Sequence, residues 1–302
     1  MPLWIPITIA AAFMQNVRSA LQKSLSEQVG TSGATYARFL FAFPLAAIYL
    51  WTLTSITEHP LPSVNTPFFV NALLGGTAQI LATTALVHSF GYRNFSVGTT
   101  YSKTEAIQTV LFAFLILGES VTGSGLVAIF ISFIGVLALS ARDGDKGIFA
   151  SLRGLGQPAS LYGLASGAFF GVSAVMYRGA AHALDGEPDM FLAAATTLVV
   201  VLAWQTLLMT TWLAIRSPDK LFATLRAWRQ AIAIGATGVI ASIGWFTAVA
   251  LHNPAYVRAL GQVELLFTLA ASILFFHEKI TRRELVGMAL VIGGIILMIL
   301  KG

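Results

Sequence analysis

The sequence predicts an all-α membrane protein of ten transmembrane helices, arranged as two inverted five-helix repeats around a central cavity. Three observations predict it. Of 302 residues, 56% are hydrophobic and only 10% charged, against about 25% charged in soluble domains; mean hydropathy is +0.78. Apolar runs recur at a length that suits a bilayer, and a polar pattern near residue 100 returns near residue 260.

Runs bounded by Pro, Gly or charge place the spans at 4–24, 31–54, 68–90, 96–117, 122–140, 159–180, 189–214, 230–251, 255–276 and 281–300. Each approaches the roughly 20 residues needed to cross a hydrocarbon core of about 30 Å. Helix is required because a lipid-exposed backbone must satisfy its own hydrogen bonds. Runs such as LFAFLILG and GMALVIGGIILMIL are apolar all round, without strand alternation. The opening MPLWIPITIAAAFMQ lacks a basic n-region and an A-x-A cleavage site, so it is expected to remain as the first span. The halves are expected at 1–141 and 159–302, joined by a cytoplasmic linker at 142–158.

Orientation follows from the cations. Loops after odd-numbered spans hold Lys23, Arg93, Arg142, Lys146, Arg153, Arg216, Lys220, Arg226, Arg229, Lys279, Arg282 and Arg283, whereas the other side holds Arg178 and Lys301. The positive-inside rule puts the odd loops in the cytoplasm and both termini outside. The net charge of +5 is explained by this topology rather than by nucleic acid, because the cations do not run together.

The repeat is carried by polar residues. With a shift of 159, Glu105 falls on Glu264, Glu119 on Glu278, Thr122 on Thr281 and Gly135 on Gly294. Spans 4–5 therefore match spans 9–10, and a five-helix unit forces the second copy into the membrane upside down. Inverted repeats with a midplane site are a common plan of secondary transporters.

The two copies resemble the EamA-type domains of the drug/metabolite transporter superfamily. The resemblance rests on a mid-helix acid, an apolar stretch, then Gly-Glu and a Thr opening the next helix. Here these are Glu105, Gly118-Glu119 and Thr122, then Glu264, Glu278 and Thr281, with His277 in place of the second Gly. The proline that often follows the mid-helix acid is replaced by Ala106 and Leu265, so no proline-imposed break is expected there. Within the superfamily the chain looks most like aromatic amino acid exporters of bacterial inner membranes. The resemblance implies export of aromatic amino acids, and of aromatic cations, by alternating access.

Ionisable groups inside spans mark candidate sites, because they are costly in hydrocarbon. Lys103 and Glu105 lie in span 4; Gln262 and Glu264 are their counterparts in span 9, with Arg258 one turn earlier. Lys103 and Arg258 suit a substrate carboxylate, and an acid with Gln262 suits an ammonium. On a regular helix a spacing of two separates the faces, which makes Lys103 and Gln262 the cavity-facing pair and Glu105 and Glu264 structural. Glu105, Glu264 and His88 are the groups able to carry a coupled proton. Gln15 on span 1 and Gln79, with Thr83, on span 3 form inward polar stripes. Tyr101 and Trp245 offer rings at membrane depth, away from the interfacial belt expected for Trp4, Trp51 and Trp228. Arg18 and Arg38 lie within snorkelling reach of the cytoplasm. Gly163, Gly167 and Gly171 form a small-residue packing stripe.

No catalytic signature accompanies these residues. There is no cysteine, His277-Glu278 does not continue as HExxH, and neither a Walker loop nor a GxSxG elbow occurs. The partners implied are a small-molecule substrate and the lipid bilayer, with no cofactor, metal or nucleic acid; the sequence leaves the oligomeric state open, a monomer among the options. Two alternatives compete. A channel would present charged rings or repeated carbonyl motifs, and another carrier of the family would move a different metabolite.

Overall fold

The computed structural model describes residues 2–90, 101–140, 157–186, 189–276 and 281–301. The helices are α1 (Trp4–Thr57), α2 (Thr66–Phe90), α3 (Glu105–Leu117), α4 (Gly123–Ser140), α5 (Pro158–His182) and α6 (Met190–Arg216), followed by α7 (Pro218–Arg226), α8 (Trp228–Leu251), α9 (Pro254–Gly261), α10 (Glu264–Phe276) and α11 (Arg282–Lys301). Among the described residues six helices are long and apolar enough to cross a bilayer, while α3 and α4 are shorter apolar helices. With α1 covering two expected spans and α9 with α10 covering one, each of the ten expected spans contains helix among the described residues. Most of the linker at 142–158 lies outside the described residues, as do Arg93, His277, Glu278 and Lys279.

Two details depart from the sequence reading. Spans 1 and 2 are not separated by a loop: α1 runs from Trp4 to Thr57 and breaks only at Gly30, at φ 73° and ψ 167°. That region of backbone space is essentially confined to glycine, so one residue turns the chain. The loop expected after span 7 contains α7, which Ser217, Pro218 and Asp219 open with a proline at the first helical position and an acid in the first turn.

Contacts divide the chain into two compact units: residues 1–77 with 176–251, and 78–175 with 252–302. In the first, α8 packs on both arms of α1. Leu25, Val29, Ala34 and Ala37 of α1 bury against Ala231 and Ile234 of α8. On α6, Trp204 Nε1 donates to Thr77 Oγ1 at 3.0 Å and Gln205 Nε2 to the Gly76 carbonyl at 3.1 Å. Arg178 donates to the Val249 and Ala250 carbonyls at 3.0 and 2.9 Å, joined at Ala250 by His182, so these side chains satisfy buried carbonyls at the C-terminal end of α8. Arg18 is 7% exposed, and the stems of Arg18 and Arg38 lie 3.4 and 3.7 Å from where a Cβ on Gly238 would sit. Arg18 is thus folded into the unit rather than snorkelling. Trp4 is likewise buried, whereas Trp51 and Trp228 are exposed as an interfacial belt requires.

In the second unit α4 and α11 meet through small residues, and their contacts are reciprocal. A Cβ on Gly135 would lie 2.7 Å from both Gly287 O and Val291 N; one on Gly294 would lie 2.8 Å from both Ala128 O and Ser132 N. Adding 159 to 135, 128 and 132 gives 294, 287 and 291. Each copy therefore presents the same patch to the other, as a two-fold relation demands.

The two repeat threonines, Thr122 and Thr281, are helix caps. Thr122 Oγ1 accepts from Gly125 N at 3.0 Å, and Thr281 Oγ1 from Glu284 N at 3.2 Å. In the second copy Glu284 Oε2 accepts from Thr281 N at 2.8 Å, completing a capping box. In the first, Tyr256 Oη takes that amide at 3.1 Å.

Candidate functional site

The charged residues singled out in spans 4 and 9 converge inside the second unit. Both spans break just before their acid. In the first copy Thr104 N donates to Tyr101 O at 3.1 Å, and α3 starts at Glu105. In the second, Gln262 N reaches Ala259 O at 3.2 Å and Val263 N reaches Leu260 O at 3.0 Å before α10 starts at Glu264. These are i→i+3 bonds, the tighter 3₁₀ pattern. The breaks form without a proline. They place each acid in the first turn of a new helix, where the macrodipole favours a negative charge.

The acids are paired across the copies. Lys103 Nζ is bonded to Glu264 Oε1, and Arg258 Nε lies 3.0 Å from Glu105 Oε1. Side-chain exposure is 17% for both members of the first pair and 13% and 14% for the second. All four groups are therefore mostly withdrawn from solvent yet reachable. The sum of charge is zero, and Lys103 interacts electrostatically with both acids. The separation of faces expected for residues two apart holds only on a regular helix. The tightened turns defeat it, and Lys103 and Glu105 both meet the second copy.

Neighbouring residues fix this arrangement. Tyr101 is buried, with its hydroxyl hydrogen-bonded to Ser160. Thr104 Oγ1 donates to Tyr101 O at 2.6 Å and accepts from Gln108 Nε2 at 2.7 Å. Gln108 also reaches Leu164 O of α5 at 3.4 Å. The glycine stripe of α5 seats the turn: a Cβ on Gly167 would lie 3.0 Å from Ser102 O and 3.2 Å from Glu105 N, and one on Gly171 2.9 Å from Thr109 Oγ1. Thr104, Gln108 and Ser160 escaped the sequence reading, although Thr104 and Gln108 stand at the helical spacing of four.

Gln262 ends α9 and is 6% exposed; among the described residues its Oε1 is buried without a hydrogen-bond partner. Gln79 lies half-buried on α2 in the same unit, its carbonyl accepting from Thr83 Oγ1 at 3.0 Å. His88 is exposed, its ring 5.7 Å from that of Tyr162. Gln15 on α1 and Trp245 on α8 belong to the first unit; both are half-buried, and the indole nitrogen is enclosed. Among the described residues no group of three or more His, Asp or Glu side chains is placed to hold a metal ion.

The profile of the EamA-like transporter family matches the chain twice, at residues 2–141 and 157–300. The chain belongs to that family. This EamA-like protein is accordingly a multi-pass membrane transporter of small molecules, built of two repeated halves. A solved crystal structure resembles it at a TM-score of 0.70 and 15% identity, covering 98% of this chain and 97% of that one. At that identity the likeness establishes the fold. No curated protein matches the chain.

Proposed function

We propose that this EamA-like protein is a secondary carrier that exports aromatic amino acids, and aromatic cations with them, across the bacterial inner membrane. In this reading its inverted halves alternate access to a central cavity, and both termini lie outside the cytoplasm. Among transporters of the superfamily it looks most like the bacterial aromatic amino acid exporter YddG.

The crossed pairing of Lys103 with Glu264 and of Arg258 with Glu105 carries the proposal. Two cations and two anions with no net charge suit a zwitterion. A carboxylate entering the cluster takes Lys103 or Arg258 from its acid, and the substrate ammonium takes the acid released. Each charge-assisted bond is replaced by another, so no charge is left uncompensated in a low-dielectric site. The buried Gln262 Oε1 supplies a further acceptor for the ammonium. Tyr101 supplies a flat face that stacks on aromatic rings and attracts cations, and Gln79 of the same unit supplies a polar contact. Glu105, Glu264 and His88 are the groups available to couple a proton.

The test is exchange in proteoliposomes of purified protein, loaded with labelled Phe or Trp and diluted into unlabelled amino acids. Saturable efflux accelerated by unlabelled substrate on the far side supports the carrier and the substrate. Acceleration by other metabolites alone keeps the carrier and discards the aromatic amino acids. Fast, non-saturable efflux without counterflow identifies a channel.

A further inference from the structure

The short helix α7, between α6 and α8, is dressed the wrong way round for a helix that ends in water. Its inward face is built of small groups. Ala223 and Ala227 lie against the core formed by α1 and α8, and Thr224 is fully buried, its hydroxyl donating to Lys220 O at 2.7 Å. A Cβ on Gly33 would lie 2.7 Å from Thr224 Oγ1, and one on Gly30, the break in α1, would lie 3.6 Å from the stem of Lys220. The helix thus sits directly on the turn of α1.

The outward face carries the large apolar side chains. Phe222 is 57% exposed, Leu225 42% and Trp228 50%. Around them stand four exposed cations, Arg216, Lys220, Arg226 and Arg229, against the acid Asp219. The Arg229 guanidinium lies 5.5 Å over the Trp228 ring. In water this face would leave three large apolar groups uncovered. At a bilayer surface the rings and Leu225 enter the acyl boundary while the cations reach the phosphate level. Apolar depth alone does not distinguish lipids, but four cations around it select a negative surface.

We propose that α7, with Arg216, Trp228 and Arg229, is a binding surface for anionic phospholipid headgroups, seated on the Gly30 turn of α1. The surface is independent of the transported substrate.

Brominated lipids quench tryptophan on contact, so the purified full chain is reconstituted in phosphatidylcholine vesicles doped with brominated phosphatidylglycerol or brominated phosphatidylcholine. The difference between wild type and Trp228→Phe isolates Trp228. Its quenching is expected to need a severalfold lower mole fraction of the anionic lipid than of the zwitterionic one. Arg226→Gln with Arg229→Gln should abolish that preference or leave it close to onefold. Arg226→Lys with Arg229→Lys should keep it, as should Lys23→Gln, which removes an exposed cation of α1 that is not part of the proposed surface. Equal quenching by both lipids in the wild type overturns the proposal. So does a preference that survives the double Gln variant, or one lost equally in Lys23→Gln.

Discussion

Lys103 of the first copy is paired with Glu264 of the second, while Glu105, the residue that Glu264 repeats, is paired with Arg258. Each acid thus borrows its cation from the other copy. Removing one cation leaves an acid largely withdrawn from water without its counter-charge. Lys103→Met is expected to lower stability by roughly 1–3 kcal/mol, between the surface and fully buried limits. Adding Glu264→Gln should recover most of that loss, because the orphaned charge is then gone. Thermal unfolding in detergent checks both, and exchange activity is expected to stay lost in each.

The two pairs should not behave independently. Glu105 feels Lys103 and Glu264 as well as its own partner Arg258. Glu105→Gln and Glu264→Gln are each destabilising, and the double variant is expected to cost more than the sum by about 0.5 kcal/mol or more, because removing either acid alone also relieves its repulsion with the other. Strict additivity in a double-mutant cycle would mean two separate ion pairs rather than one four-charge cluster.

Gly167 sets the position of the first-copy turn. A side chain there meets backbone atoms, Ser102 O at 3.0 Å and Glu105 N at 3.2 Å, which cannot rotate away. Gly167→Val is expected to cost about 1–3 kcal/mol through overpacking. It should also lower exchange more than stability alone explains, since the displaced turn carries Lys103 and Glu105. Gly123→Ala, with open space around it, serves as the comparison in the same unfolding and exchange assays.

The two caps can be weighed against each other. Thr122 N donates to Tyr256 Oη at 3.1 Å, and Thr281 N donates to Glu284 Oε2 at 2.8 Å. Tyr256→Phe and Glu284→Leu should each cost about 1 kcal/mol, the usual worth of a helix cap. A null effect of Tyr256→Phe on the unfolding midpoint would show that water replaces the hydroxyl.

The spans were legible because bilayer thickness is written directly into the length of apolar runs. The mid-span charges were legible because Lys103, Glu105, Arg258 and Glu264 interrupt otherwise apolar helices. Their pairing was not, since Lys103 and Glu264 stand 161 residues apart and no one-dimensional pattern encodes a contact across two helix breaks. The breaks themselves were hidden because the usual proline is absent and 3₁₀ turns leave no compositional mark. Gly30 looked like part of a loop because its left-handed φ is invisible in sequence. By contrast, Ser217-Pro218-Asp219 is a readable helix start, and α7 passed unnoticed only because its large apolar residues face outward. Arg18 looked like a snorkelling cation because a single span does not reveal Gly238 making room for its stem.

The reciprocal contact of α4 and α11 offers the sharpest test of the repeat, because two adjacent glycines should give opposite answers. Gly294 faces Ala128 O and Ser132 N, each 2.8 Å from where a Cβ would sit, whereas Gly293 has nothing within 4 Å. Gly294→Ala must push two helix backbones apart and is expected to cost about 1–3 kcal/mol. Gly293→Ala meets open space and gains helix propensity, so it should stabilise by roughly 0.5–1 kcal/mol. Gly135→Ala, at the equivalent place in the first copy, should match Gly294→Ala in sign and size, since it meets Gly287 O and Val291 N at 2.7 Å. Unfolding midpoints of the three variants decide it. Unequal losses at 135 and 294 would mean that the two-fold relation of the sequence repeat is not kept in the packing.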